Sequence, residues 1–72
     1  MSTLSDMKIG KRVKEQRIKK LLSQAELGKA AGVHRDQVSR IERDEVDPRF
    51  STIRKLAAAL DVDAAELTNG GE

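Results

Sequence analysis

In the segment Leu22–Arg43, LSQAELGKAAGVHRDQVSRIER, arginines recur at positions 35, 40 and 43 with Val38 and Ile41 between them. At about 100° per residue, Val38 and Ile41 share one face of a helix. Asp36, Ser39, Arg40 and Arg43 fall on the opposite side, with Arg35 on the flank at the helix start. The outward face is therefore polar and mostly cationic. A guanidinium there can donate two parallel hydrogen bonds to O6 and N7 of guanine, discriminating that base by about 1–3 kcal/mol; otherwise it holds a phosphate or stays in solvent. Arg35 and Arg40 are the candidates for base reading. Asp36 has two readings. It can accept from a cytosine amine, or, as an acid in the first turn, it can complement the helix dipole and orient Arg40 at i+4. Gln24 occupies the first turn of the preceding helix, where exposed backbone amides and a side-chain donor can meet a phosphate oxygen.

Such a face works only when a second helix holds it. Ala31-Gly32-Val33 is the turn between the two, and Gly32 supplies left-handed backbone without a Cβ penalty. Leu27 before the turn and Val38 and Ile41 after it form a shared apolar seam. Ser23 and Glu26 make the S-x-x-E capping box of helix two. Gly28 within that helix costs about 1 kcal/mol relative to alanine, which points to close approach of the next helix.

Around this pair the helical period continues. A first helix starts at Ser5 or Asp6 and runs to about Lys20, with Ile9 and Val13 inward and Arg17 on the same stripe, where an arginine needs a partner. Helix three covers about Arg35 to Arg43, and Pro48 closes the loop Asp44–Asp47. Ser51 is positioned to cap a fourth helix containing Ile53, Leu56, Ala57 and Leu60. Asp61-Val62-Asp63 breaks it, and Asp63 caps a short fifth helix, Ala64 to about Thr68, that docks Leu67. The tail Asn69–Glu72 is expected to be disordered. With no alternating strand pattern, repeat or linker, the expectation is all-α and one domain over residues 1–72, ordered from about 6 to 68.

Composition narrows the function. Seventy-two residues lie near the lower limit for unassisted folding, and the absence of cysteine excludes a disulfide scaffold or thiolate metal site. No apolar run reaches the roughly 18 residues of a membrane span and no leader core is present, so a cytoplasmic, soluble protein without membrane partners is expected. The net charge is only +2, but it is uneven. Lys8, Lys11, Arg12, Lys14, Arg17, Lys19 and Lys20 crowd the first twenty residues against Asp6 and Glu15, whereas Asp61, Asp63, Glu66 and Glu72 stand at the other end without a cation. One end suits a polyanion. A single histidine, no phosphate loop and no clustered carboxylates leave no nucleophile or acid–base set, so neither an enzyme nor a cofactor is expected. His34-x-Asp36 lacks a third metal ligand nearby.

These residues resemble the phage-repressor helix-turn-helix family of the Cro/CI or Xre type. The likeness covers about Ile9 to Leu67. It rests on IGKRVKEQR, LSQAEL, GVHRDQVSRIER, DPRF and IRKLAAALDVDAAEL, in this order and at these spacings. The resemblance implies a compact five-helix, lambda-repressor-like domain whose helix three enters the major groove. It places Arg35, Asp36 and Arg40 at base-contact positions, with Gln37 and Ser39 as neighbours reaching bases or phosphates. It places Gln24 at a phosphate clamp and Arg43 and Arg49 at backbone contacts, and it pairs Arg17 with Glu42. His34 stands where that family commonly has a serine or threonine cap, and caps the helix or meets a phosphate; Lys11 is a further phosphate candidate. Three hinges where glycine is common carry Leu21, Asp44 and Asp61. Aspartate tolerates left-handed backbone better than most residues; leucine tolerates it less well.

The expected function is thus a sequence-specific regulator of transcription on double-stranded DNA, with no small-molecule ligand. It is expected to be a homodimeric repressor or autoregulator on a palindromic operator, with half-sites about 10 base pairs apart. An antitoxin-type regulator with a protein partner and a restriction-modification controller are the alternatives. For the dimer surface, helix five with Val62 and Leu67 is the expectation.

Overall fold

Over residues 9–68, which a computed structural model of the protein describes, the apolar spacing resolves into five helices: α1 (Ile9–Lys19), α2 (Gln24–Ala31), α3 (Arg35–Glu42), α4 (Phe50–Leu60) and α5 (Ala64–Thr68). No strand occurs among the described residues. The proposed caps Ser5 and Asp6, the cation Lys8 and the tail from Asn69 lie outside them.

Every helix sends side chains to one core: Val13 from α1, Leu27 from α2, Val38 and Ile41 from α3, Ile53, Leu56, Ala57 and Leu60 from α4, and Leu67 from α5. An eight-residue helix such as α3 is marginal alone in water. Burying Val38 and Ile41, each worth about 1.5–3 kcal/mol, docks it. It packs against α1 and α2, while α4 supports α2 and α5 closes against α1 and α4.

Four of the helices stop in the same way. Each of α1 to α4 is followed by one residue in the left-handed region, at Leu21 (φ 59°), Gly32 (φ 74°), Asp44 (φ 59°) and Asp61 (φ 61°). At each stop the next amide reaches back five residues, from Leu22 to the Arg17 carbonyl, Val33 to Gly28, Glu45 to Arg40 and Val62 to Ala57, at 2.8–3.1 Å. The left-handed residue's own amide reaches back three residues, at 2.9–3.4 Å, and the two bonds satisfy carbonyls that a helix end leaves bare. Only one of the four is glycine. Both aspartates adopt the strained conformation, and so does Leu21, whose side chain is 88% exposed and takes no part in the core.

Glycine matters elsewhere for space. A Cβ on Gly28 would lie 2.5 Å from the Val33 carbonyl oxygen, so the close approach is made by the turn and the backbone of Arg35. A Cβ on Gly10 would lie 2.2 Å from the Ile41 carbonyl oxygen, where α1 crosses the end of α3. Nothing in the local sequence around Gly10 marks that second approach, because its partner belongs to another helix. Ser51 does not cap α4: the N-cap is Arg49, without a side-chain hydrogen bond, and Ser51 sits inside the helix. The helix begins earlier because the chain leaves extended backbone at Arg49, so Phe50 already lies in the first turn.

Candidate nucleic-acid interface

Local chemistry first sets the two helix starts. At α2 the Ser23 hydroxyl accepts from the Glu26 amide at 3.0 Å, and the Glu26 carboxylate accepts from the Ser23 amide at 2.8 Å, completing the capping box. At α3 the cap is an imidazole: His34 Nδ1 accepts from the Asp36 amide at 3.1 Å. The acceptor is a ring lone pair, so this cap needs the imidazole with its proton on Nε2.

The angle between α1, α2 and α3 is held by one polar cluster. Arg17 Nε donates to Glu42 Oε2 at 2.7 Å and Arg17 Nη2 to Glu42 Oε1 at 3.0 Å, while Nη1 donates to the Leu22 carbonyl at 2.8 Å. The side chains of Arg17 and Glu42 are 13% and 3% exposed. A carboxylate so enclosed needs a charge partner, and the two-point geometry fixes orientation as well as distance. Gln24 joins the cluster, its Nε2 donating to Glu42 Oε1 at 3.0 Å. Sequence spacing did not show this third contact, because residues 17, 24 and 42 meet only in the tertiary structure.

On the outside of α3, Arg35, Asp36, Gln37 and Arg40 are exposed and Ser39 is half-buried, with Val38 and Ile41 turned to the core. Asp36 makes no ion pair with Arg40 among the described residues. Its carboxylate lies 4.0 Å from Arg35 Nε and 3.8 Å from His34 Nδ1, at the capped end of the helix. Arg43 follows α3 and reaches Glu45 Oε2 at 3.3 Å.

A groove runs along each side of α3. One, of about 450 Å³, lies between Arg35 and Ser39 on α3 and Ser23, Gln24 and Ala25 at the start of α2. The other, of about 550 Å³, lies between Gln37 and Arg40 on α3 and Pro48, Arg49 and Thr52 across the α3–α4 connection. The structure thus brings Gln24 and Arg35 together on one flank, and Arg40, His34 and Arg49 on the other. Lys11 is exposed on α1 and lines neither groove. Thr52 and Val46, which line the second groove, carried no sequence signal: both depend on how the loop folds back. The result is a ridge with cations along its crest and a channel on each side, a shape that suits a grooved polyanion. No group of acidic, histidine or cysteine side chains among the described residues is arranged to hold a metal, and none of their helices is long and apolar enough to cross a membrane.

Comparison with known proteins agrees with this geometry. The helix-turn-helix family model HTH_3 matches residues 13–67. The immunity repressor of Bacillus phage phi105 is 33% identical over 61 residues, which is 85% of this chain and 42% of that one. The transcriptional regulator SinR of Bacillus licheniformis is 39% identical over 62 residues, 85% of this chain and 56% of that one. The chain therefore spans about half the length of these curated relatives. Among solved structures, the restriction-modification controller protein C.AhdI from Aeromonas hydrophila superposes with a TM-score of 0.82 at 39% identity, covering 85% of this chain and 92% of that one. The P22 c2 repressor, solved in complex with a synthetic operator, superposes with a TM-score of 0.81 at 34% identity, covering 86% and 94%.

Proposed function

Because the chain belongs to the helix-turn-helix family, we propose that it is a sequence-specific regulator of transcription that binds double-stranded DNA and reads the major groove with α3. The observation that carries this reading is the division of α3 itself, with Val38 and Ile41 buried and Arg35, Gln37 and Arg40 exposed between two grooves. A helix with its side chains is about 10–12 Å across, and the major groove of B-DNA, about 12 Å wide, admits one. In that position Arg35 and Arg40 read guanine edges, with Gln37 and Ser39 beside them. Asp36 restrains the Arg35 guanidinium, weakly because both are exposed.

The sugar–phosphate strands then lie along the two flanking grooves. Gln24 has one N–H on Glu42; its amide nitrogen carries a second, which is left for a phosphate oxygen. His34, Arg43 and Arg49 serve the other strand and the helix end, and Lys11 adds charge at longer range. A single reading helix buries too little surface for tight specific binding, so two copies act on a palindromic operator with half-sites about 10 base pairs apart. The SinR, phi105, P22 and C.AhdI likenesses support a repressor or autoregulator. Control of a restriction-modification operon, as the C.AhdI likeness favours, is one setting for the same activity.

Selection of bound duplexes from a random pool tests the reading. The wild-type chain enriches a two-fold symmetric motif, whereas Arg35→Ala and Arg40→Ala lose sequence preference and keep the helical circular-dichroism signal. Should both variants enrich the wild-type motif, α3 is not the reader.

A further inference from the structure

The exposed large apolar side chains among the described residues are Ile18, Leu21, Val46 and Phe50. Val46 lines the groove that holds Arg49, and Arg54 lies over the Phe50 ring, 5.2 Å from its centroid. Ile18 and Leu21 line neither groove, so the DNA reading makes no use of them. They belong to one turn of backbone: where α1 ends, the Leu21 amide donates to the Ile18 carbonyl at 2.9 Å. Leu21 is the more telling of the two. Its backbone is left-handed, at φ 59°, where glycine is free of strain and leucine is not. Its side chain is 88% exposed, so inside the fold nothing offsets that strain. A strained residue with a bared apolar side chain directs attention outward, to a contact with another molecule.

Charge decides what that molecule is. Lys14, one turn before Ile18, and Lys19 and Lys20 after it are all exposed, with Glu15 the one acid between positions 14 and 21. None of the ion pairs among the described residues takes up these three lysines. A second copy of the chain would set lysine against lysine. The phosphates of a nucleic acid would satisfy the lysines and leave two apolar side chains in water. A bilayer surface needs more buried apolar area than two side chains supply. An acidic protein segment with apolar residues of its own covers both features, since its carboxylates meet the lysines at the rim while Ile18 and Leu21 lose water at the centre.

We propose that Ile18 and Leu21, with Lys14, Lys19 and Lys20 beside them, form a docking surface for an acidic segment of a second protein that brings apolar side chains of its own. The surface lies outside both grooves that flank α3, so a chain seated on DNA still presents it. A contact this small belongs to the weak class of interfaces, which suits a partner that comes and goes.

Display of random dodecapeptides against the immobilised chain supplies the probe. Peptides that are rich in aspartate and glutamate and carry two or more apolar residues are expected to be enriched, and one of them, made with a fluorophore, is then titrated by anisotropy. Leu21→Gly and Ile18→Lys are each expected to weaken its binding by about tenfold or more, as loss of a central apolar anchor does, while the helical circular-dichroism signal stays intact. The two variants separate the causes. Leu21→Gly relieves the backbone, so lost binding does not report an unfolded chain. Ile18→Lys adds a cation, so a ligand held by charge alone would bind more tightly. Duplex DNA binds Leu21→Gly as it binds the wild type. Failure to enrich acidic peptides, unchanged peptide affinity in both apolar variants, or enriched peptides that depend on Arg35 and Arg40 instead overturns the proposal. Loss of duplex affinity in Leu21→Gly would give the surface to DNA, and phosphatidylglycerol vesicles that sediment with the wild type but not with Ile18→Lys would give it to a bilayer; either overturns the proposal too. The peptide measurements need no DNA, so they judge this surface even where random-pool selection fails and the DNA-reading proposal falls with it.

Discussion

At the scale of single residues, Leu21 and Glu42 show how differently a side chain can serve the same architecture. Leu21 contributes its backbone alone. It ends α1 at φ 59° with an exposed side chain, in a conformation that costs an L-residue roughly 1–2 kcal/mol. Leu21→Gly is therefore expected to stabilise the fold by about 1 kcal/mol, after allowing for the greater freedom of glycine in the unfolded chain. In thermal unfolding this appears as a rise of about 4–8 °C in Tm; an unchanged or lower Tm would mean that the leucine makes a contact its exposure denies. Glu42 is the reverse, since everything it does depends on its carboxylate. On the reading helix, but 3% exposed and taken up by Arg17 and Gln24, it is a positioning residue.

At the scale of elements, the reading ridge is placed by two glycines where backbones nearly touch. Helix propensity alone favours Gly→Ala by about 1 kcal/mol. At Gly10 and Gly28 the new methyl would meet the carbonyl oxygens of Ile41 and Val33 within 2.2 and 2.5 Å, atoms that cannot rotate away. Overpacking costs about 1–3 kcal/mol or more, so each alanine variant is expected to lose about 2 kcal/mol net. Urea unfolding measures this directly, and a gain in stability at either position would contradict the close approach. Gly28→Ala should also loosen the α2–α3 turn, since its obstacle is the turn carbonyl itself. The helix periods, the capping box and the Gly32 stop were legible from residues 23–41 because each is a local rule. The Gly10 approach was not, since its partner lies more than thirty residues away in sequence.

Across the whole molecule, charge placement governs binding more than the net +2 does. Phosphate contacts release counterions, so each one removed flattens the logarithmic salt dependence by about one unit and weakens binding to all sequences alike. Arg49→Ala, on a groove beside α3, is expected to show this in full. Lys11→Ala, exposed on α1 and outside both grooves, is expected to show a smaller change. Salt titrations of binding to selected and scrambled duplexes provide the measurement. Loss of sequence preference in the Arg49 variant would move that residue from backbone holding to base reading.

What the sequence determined by itself was everything carried by spacing within a helix or a turn: five helices, the seam of Leu27, Val38 and Ile41, and the cationic outer face of α3. These follow from helical period and local capping, which need only neighbours in the chain. The tertiary structure alone decided how far Arg17, Gln24 and Glu42 share one carboxylate, where the α3–α4 connection folds back to make a second groove, and which apolar residues remain bare. It buried Leu67, expected at a dimer surface, in the core. The hydrophobicity of a residue says that it will seek cover, but only the packed chain shows whether that cover has already been found.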